Sequence, residues 1–218
     1  SDQYSSLDDY INKMNKDQKE IFYFANVDKD HIKNSPQLET FLEKKIPVLF
    51  MTDAIDDFWI PNIGKYKDKE FKSITKGSVD LSKFKSSKEK IDKSNNKNLK
   101  INDLINVLKN ELKDKIKDVV ISNRLTKSPL ILIADEAGMD INMEKLMKIH
   151  NKNTPDNKKI LEINDKHPMI IKISENLSKV DHKKVSSLLL DQANILDGNT
   201  LSNPSNYIET LTELFIKN

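Results

Sequence analysis

The sequence predicts an α/β (α+β) protein in two domains: a small α/β/α layered unit, then a mixed domain with a short sheet and a helical bundle. Three observations carry that expectation. Over residues 1–76, short apolar runs rich in β-formers alternate with stretches of helical spacing. From Gly77 to Asn98 the chain reads "GSVDLSKFKSSKEKIDKSNNKN", which is polar, Lys- and Ser-rich and without apolar periodicity. Two strongly amphipathic stretches then close a chain whose 218 residues suffice for two small cores.

In the first domain, "SSLDDYINKM" predicts a helix, with Ser6 as N-cap, Asp9 three places on, and Leu7, Tyr10, Ile11 and Met14 at helical spacing. "IFYFAN" and "VLFMT" read as strands, and "SPQLETFLEKK" between them opens a helix at the Ser35-Pro36 pair. Two strands joined by a helical crossover lie parallel. "AIDDFWIPNI" then supplies a short helix and "KEFKSI" a further strand.

The stretch at 77–98 reads as a solvated linker. Its lysines are diluted by Asp and Glu, and no aromatic residues alternate with them as a stacking platform for bases would require. The second domain, 99–218, opens on a helical stripe of Ile101, Leu104, Ile105, Leu108 and Leu112. "KDVVISNRL" and "SPLILIADE" read as two strands a hairpin apart, with Pro129 at the start of the second, where it removes no central ladder bond. In "GMDINMEKLMKIH", Met139, Met143, Leu146 and Met147 fall at i, i+4, i+7 and i+8, one face of a helix. Such a stripe serves either a core or a surface left open for a partner, and Met suits surfaces that must repack. "HPMIIKISENL" starts a helix near Pro168. "DHKKVSSLLLDQANIL" and "NPSNYIETLTELFIKN" each carry an apolar face, from Val185 to Leu196 and from Tyr207 to Phe215. Two such helices need more apolar surface than they offer each other, so they predict either a four-helix bundle shared by two chains or packing on their own sheet.

Composition excludes several chemistries. With 36 basic and 34 acidic residues the formal charge is only +2, without the basic excess of a nucleic-acid binder. Four glycines leave no phosphate-cradling loop, and zero cysteines leave no disulfide or thiolate metal site, in keeping with a reducing compartment. The polar N-terminus and the lack of a long apolar run predict neither signal peptide nor membrane helix. His31, His150, His167 and His182 are scattered, so no metal site is expected, and there is no Gly-x-Ser-x-Gly elbow. The pair Asp56-Asp57 fits the first turn of its helix, where carboxylates meet the positive end of the dipole, better than acid/base work.

Three stretches, "VVISNRLTKSPLILIADEAGMDINMEKLMK", "LEINDKHPMI" and "LLLDQANILDGNTLSNPSNYIETLTELF", resemble the C-terminal domain of the heat-shock protein 90 chaperone family in its bacterial HtpG or organellar form. Upstream, "SLDDYINKMNKDQKEIFYFANVDKDHIKNSPQLETFLEKKIPVLFMTDAIDDFWI" is similar to the small α/β/α end of that family's middle domain. The likeness spans nearly all of the chain outside 77–98.

The resemblance implies a fragment of a longer ATP-driven homodimeric chaperone. Its ATPase domain, and the arginine acting on the γ-phosphate, would precede Ser1. ATP and Mg then belong to the parent protein, while this fragment carries no cofactor and is no enzyme. The ending "TELFIKN" lacks the acidic Met-Glu-Glu-Val-Asp tail of eukaryotic cytosolic members and any Lys-Asp-Glu-Leu signal, which implies the bacterial cytoplasm or, alternatively, a eukaryotic organelle.

By the same resemblance Met139, Met143, Leu146 and Met147 face client protein. Asp57 and Phe58 join them, standing where the bacterial chaperone has an acidic residue followed by Trp, as does Trp59, this chain's sole tryptophan, one place later. Leu188, Leu189, Leu196, Ile208, Leu211 and Phe215 form the dimer interface. The implied partners are a second copy and unfolded or partly folded proteins, with no nucleic acid and no membrane. The alternative from the residues alone is a stand-alone scaffold or nucleic-acid-associated module, with the Met helix packed inside and the Lys-rich linker on phosphate.

Overall fold

A computed structural model of the chain describes residues 4–81, 83–84, 95–150 and 157–216, without the side chains of 95–98, 150 and 215. The first half runs α1 (Leu7–Lys13), β1 (Glu20–Ala25), α2 (Lys29–Asn34), α3 (Glu39–Glu43), β2 (Leu49–Met51), α4 (Asp56–Ile63), β3 (Lys65–Tyr66) and β4 (Lys69–Ser73). The second runs α5 (Asn95–Leu112), β5 (Ile116–Ile121), β6 (Leu130–Ile133), α6 (Ile141–His150), β7 (Lys159–Ile163), α7 (Pro168–Glu175), α8 (His182–Leu196) and α9 (Pro204–Ile216). These elements form two compact units: Ser1–Glu89 with Ala134–Asn157, and Lys90–Ile133 with Lys158–Asn218. The α/β class read from the sequence is the class observed.

The first unit is built on a sheet ordered β2-β1-β4-β3, with β1 parallel to both β2 and β4 and β3 antiparallel to β4. Strand β1 is central because both of its faces are apolar. Phe22 and Phe24 point into a core with Ile32, Leu38, Phe41, Ile46 and Ile74, while Tyr23 and Ala25 meet Ile60, Trp59 and Phe71 on the other side. The crossover between β1 and β2 holds α2, a 3-10 turn at Pro36–Leu38, and α3. The sequence reading anticipates only the part from Ser35, whose hydroxyl accepts from the Gln37 N–H at 3.3 Å.

The N-terminal helix forms as its cap dictates. Ser6 Oγ accepts from the Asp9 N–H, and the Asp9 carboxylate accepts from the Ser6 N–H, both at 3.1 Å. Tyr10 then anchors α1 to the sheet. Its hydroxyl donates to Pro47 O at 2.8 Å and accepts from the Phe22 N–H at 2.9 Å and from Gln18 Nε2 at 2.8 Å. Burial pushes this phenol up to about 12, so it keeps its proton at neutral pH.

Two features of the first unit depart from the sequence reading. Val79, Leu81 and Phe84, inside the stretch taken for a linker, are buried in the first unit's core. Their spacing joins a strand step, from Val79 to Leu81, to a helical one, from Leu81 to Phe84, so no single period emerges and the pattern conceals them. The other described part of that stretch, Asn95–Asn98, already lies in α5, and the remainder falls outside the described residues. Residues Ala134–Asn157, which the sequence reading carries within 99–218, make their contacts in the first unit. The Ala134 N–H donates to Thr75 O and the Gly77 N–H to Ala134 O, each at 2.9 Å, and Lys72 pairs with Glu136 at 2.7 Å. Gly77 has a φ of +60°, a conformation that strains a side chain, and the Glu136 carboxylate occupies the space its Cβ would take.

The second unit holds a sheet ordered β5-β7-β6, with β7 parallel to β5 and antiparallel to β6. The hairpin expected between β5 and β6 is therefore absent: β7, unforeseen in the sequence, separates them. The buried stripe of α5, from Ile101 to Leu112, packs with Ile170 of α7 and Val185, Leu189, Leu190 and Ala193 of α8 on one face of the sheet. The opposite face carries Leu125, Ile131, Ile133 and Ile160. Beside them lies a buried ion pair, Arg124 Nε to Glu162 Oε2 at 3.0 Å, with Ser122 Oγ donating to the same oxygen at 2.6 Å.

Candidate functional site

Helices α4 and α6, both in the first unit, meet at a polar contact. The Asn142 side-chain amide donates to Asp57 Oδ2, across 85 residues of sequence. Asp57, to which the resemblance assigns a client contact, is only 5% exposed, and its carboxylate is engaged with Asn142 inside the unit. Burial raises this carboxyl to about 6; the Asn142 amide pulls the other way, while Asp140 and Asp56 add to the rise. One oxygen of Asp140 accepts from Thr75 Oγ1 at 2.6 Å, and Thr75 Oγ1 lies 2.8 Å from Ser73 Oγ. Tyr23, below these groups on β1, is pushed up by burial and then by Asp140 and Asp57.

The aromatic neighbours separate cleanly. Phe58 is 43% exposed, while Trp59 turns toward the sheet, stacks edge-on against Phe71 at 6.1 Å, and donates its indole N–H to Asp56 Oδ1 at 2.7 Å. Of the two, Phe58 is the open ring. Ile55 and Ile63 at the ends of α4 are exposed as well.

On α6, Ile141, Asn142 and Glu144 are buried, and the Glu144 carboxylate pairs with Lys148 at 2.5 Å. Met139, just before the helix, and Met143, Leu146 and Met147 on it are half-buried, and Ile149 is exposed. The stripe is thus neither sealed core nor fully bare surface. Sequence reasoning missed Ile55, Ile63, Ile149 and Asn142. Only the polar Asn142 beside two apolar neighbours gave a signal, and it does not reveal its partner.

The second cluster lies on α8 and α9. Lys184 near the start of α8 pairs with Glu213 near the end of α9 at 2.7 Å, which sets the two helices antiparallel. Along α8, Val185, Leu189 and Ala193 form an i, i+4, i+8 row that faces the sheet, and Leu189 is fully buried in that core. Leu188 is buried too. Both leucines, which the sequence reading places at a dimer contact, are thus covered within the single chain. Leu196 and Ile208 are exposed and Leu211 is half-buried, with Ile195 and Ile216 adding exposed area that the sequence reading did not single out. The Phe215 side chain lies outside those described.

Among the described residues, no three His, Asp or Glu side chains converge as metal donors, and no helix is long and apolar enough to cross a membrane. The fold and these two clusters define an α/β protein that displays aliphatic and aromatic side chains on helices. The chain belongs to the Hsp90 protein family, whose model matches residues 1–218. It is 37% identical over 218 residues to the chaperone protein HtpG of Wolbachia pipientis wMel, covering 97% of this chain and 34% of that protein. It is 38% identical over 214 residues to the chaperone protein HtpG of Roseobacter denitrificans, covering 95% and 34%. The chaperone protein HtpG of Ruthia magnifica matches at 36% over 215 residues, covering 97% and 33%. The chain therefore spans about a third of the length of the curated relatives it matches.

Proposed function

We propose that this chain is the dimer-forming and client-binding part of an HtpG-type chaperone. The observation that carries the reading is two sets of apolar side chains: Ile55 just before α4 with Phe58 and Ile63 on it, and the half-buried Met143, Leu146 and Met147 of α6; then Ile195, Leu196 and Ile208 of α8 and α9. The α4 and α6 cluster takes the client. Covering apolar area gains about 25 cal/mol per Å², before the entropic cost of association is subtracted. Flexible Met side chains repack around different sequences, so the contact is weak and tolerant, as a chaperone requires.

The α8 and α9 cluster takes a second copy. Two antiparallel helix pairs meeting about a twofold axis make a four-helix bundle, and the self-complementary contact closes at two chains. ATP and its Mg²⁺ belong, in this reading, to the two thirds of the parent outside this chain. This part is then non-catalytic and holds no cofactor, and its partners exclude nucleic acid and membrane. The parent works as a clamp in the bacterial cytoplasm, its arms rearranging around the client while the C-terminal contact stays closed.

Sedimentation equilibrium tests the dimer. The wild-type chain is expected at twice its 25.1 kDa mass, and Ile208→Asp combined with Leu196→Asp at one chain, with unchanged circular dichroism. A wild type that stays monomeric at every concentration removes the dimer from the reading. A photo-cross-linker at Phe58 or Met143 is expected to capture a permanently unfolded protein equally at low and high salt. Salt-sensitive retention of RNA or DNA instead would favour the scaffold reading.

A further inference from the structure

We propose that Asp57 is an acid-tightened strut between α4 and α6: protonating its carboxyl draws the two helices together, and ionising it loosens them. The inference goes beyond the proposed function, since it holds whatever the two helix faces bind. It starts from the partners of the carboxylate. Asp57 is almost fully buried, and its hydrogen bond comes from a neutral amide, Asn142. The titratable groups that face it are Asp56 from its own helix, Asp140 from the turn before α6, and Tyr23 from β1. None is a cation. Asp140 is itself short of donors: Thr75 Oγ1 serves one oxygen, and the other is buried without a hydrogen-bond partner.

A carboxylate buried among like charges, compensated only by a neutral amide and the first turn of its own helix, is costly in its ionised form. Protonation removes the charge and adds a donor. The acid O–H then meets the Asn142 amide oxygen while the amide N–H keeps its bond to Oδ2, so that acid and amide make two complementary hydrogen bonds in place of one. The raised carboxyl, at about 6, agrees with this environment. Because the folded group titrates above its unfolded value of about 4, its stabilisation is complete below about pH 4 and is lost as pH rises through about 6. Mild acid therefore tightens the joint, and neutral pH loosens it. Phe58, the next residue, is carried with it.

Amide hydrogen exchange by mass spectrometry on the intact chain tests the strut, at about pH 5.5 and about pH 7.5, each corrected for the intrinsic exchange rate. Linkage with the raised carboxyl gives roughly fourfold greater protection of the α4 and α6 peptides at the lower pH in the wild type. Asp57→Asn, neutral and of the same shape, is expected to show equal protection at both values, and peptides of α5 serve as a control for global stability. Wild-type protection that does not change between the two values overturns the strut. So does an Asp57→Asn variant that keeps the wild-type response, since the titrating group would then lie elsewhere.

Discussion

Arg124 and Glu162 show how much a single residue carries. Both are buried, they pair at 3.0 Å, and Ser122 completes the carboxylate's bonding. Removing one partner of such a pair strands the other charge. Arg124→Met is therefore expected to cost about 3–5 kcal/mol in urea unfolding, and Arg124→Met with Glu162→Met to recover a large part of it. Legibility at this scale was uneven. The capping pair Ser6 and Asp9 could be read directly, because both partners lie within one helical turn. Asp57 could not, because its partner Asn142 is remote in sequence and only folding brings the two together.

At the scale of elements, amphipathic spacing located α1, α5, α6, α8 and α9, and Pro168 marked α7, yet neither signal said which covering each apolar face receives. Leu189 and Ile208 look alike in the sequence, as apolar positions on neighbouring helices. Leu189 fills the core on the sheet, whereas Ile208 is 58% exposed. Leu189→Asp is thus expected to abolish cooperative thermal unfolding of its unit, because it buries an unpaired charge. Ile208→Asp should keep a cooperative transition, displaced only by the loss of the proposed contact with a second copy. Circular dichroism melts of the two variants, side by side, check this. Strand β7 escaped detection for a related reason. Its alternation is broken by Glu162 on a buried face, a position that Arg124 and Ser122 together make tolerable.

For the whole molecule, the chain leaves its first unit after residue 89 and returns to it at Ala134–Asn157. A truncation at residue 76, where the sequence pattern changes, would discard Val79, Leu81 and Phe84 from the core as well as α6. Residues 1–76 alone are expected to show no cooperative thermal transition, while the full chain melts with a sigmoidal one, as followed at 222 nm by circular dichroism. The sequence by itself determined the α/β class, the Ser6 and Ser35 caps, the main amphipathic helices and the family, since each rests on spacing within a helical turn, strand alternation, or long ordered stretches of residues. Tertiary structure alone decided the strand order β5-β7-β6, the return of α6 to the first unit, the burial of Asp57 and Leu189, and the choice of Phe58 over Trp59 as the open ring. Those outcomes depend on which remote surfaces meet. A periodic pattern records that a face must be covered, but carries no information about what covers it.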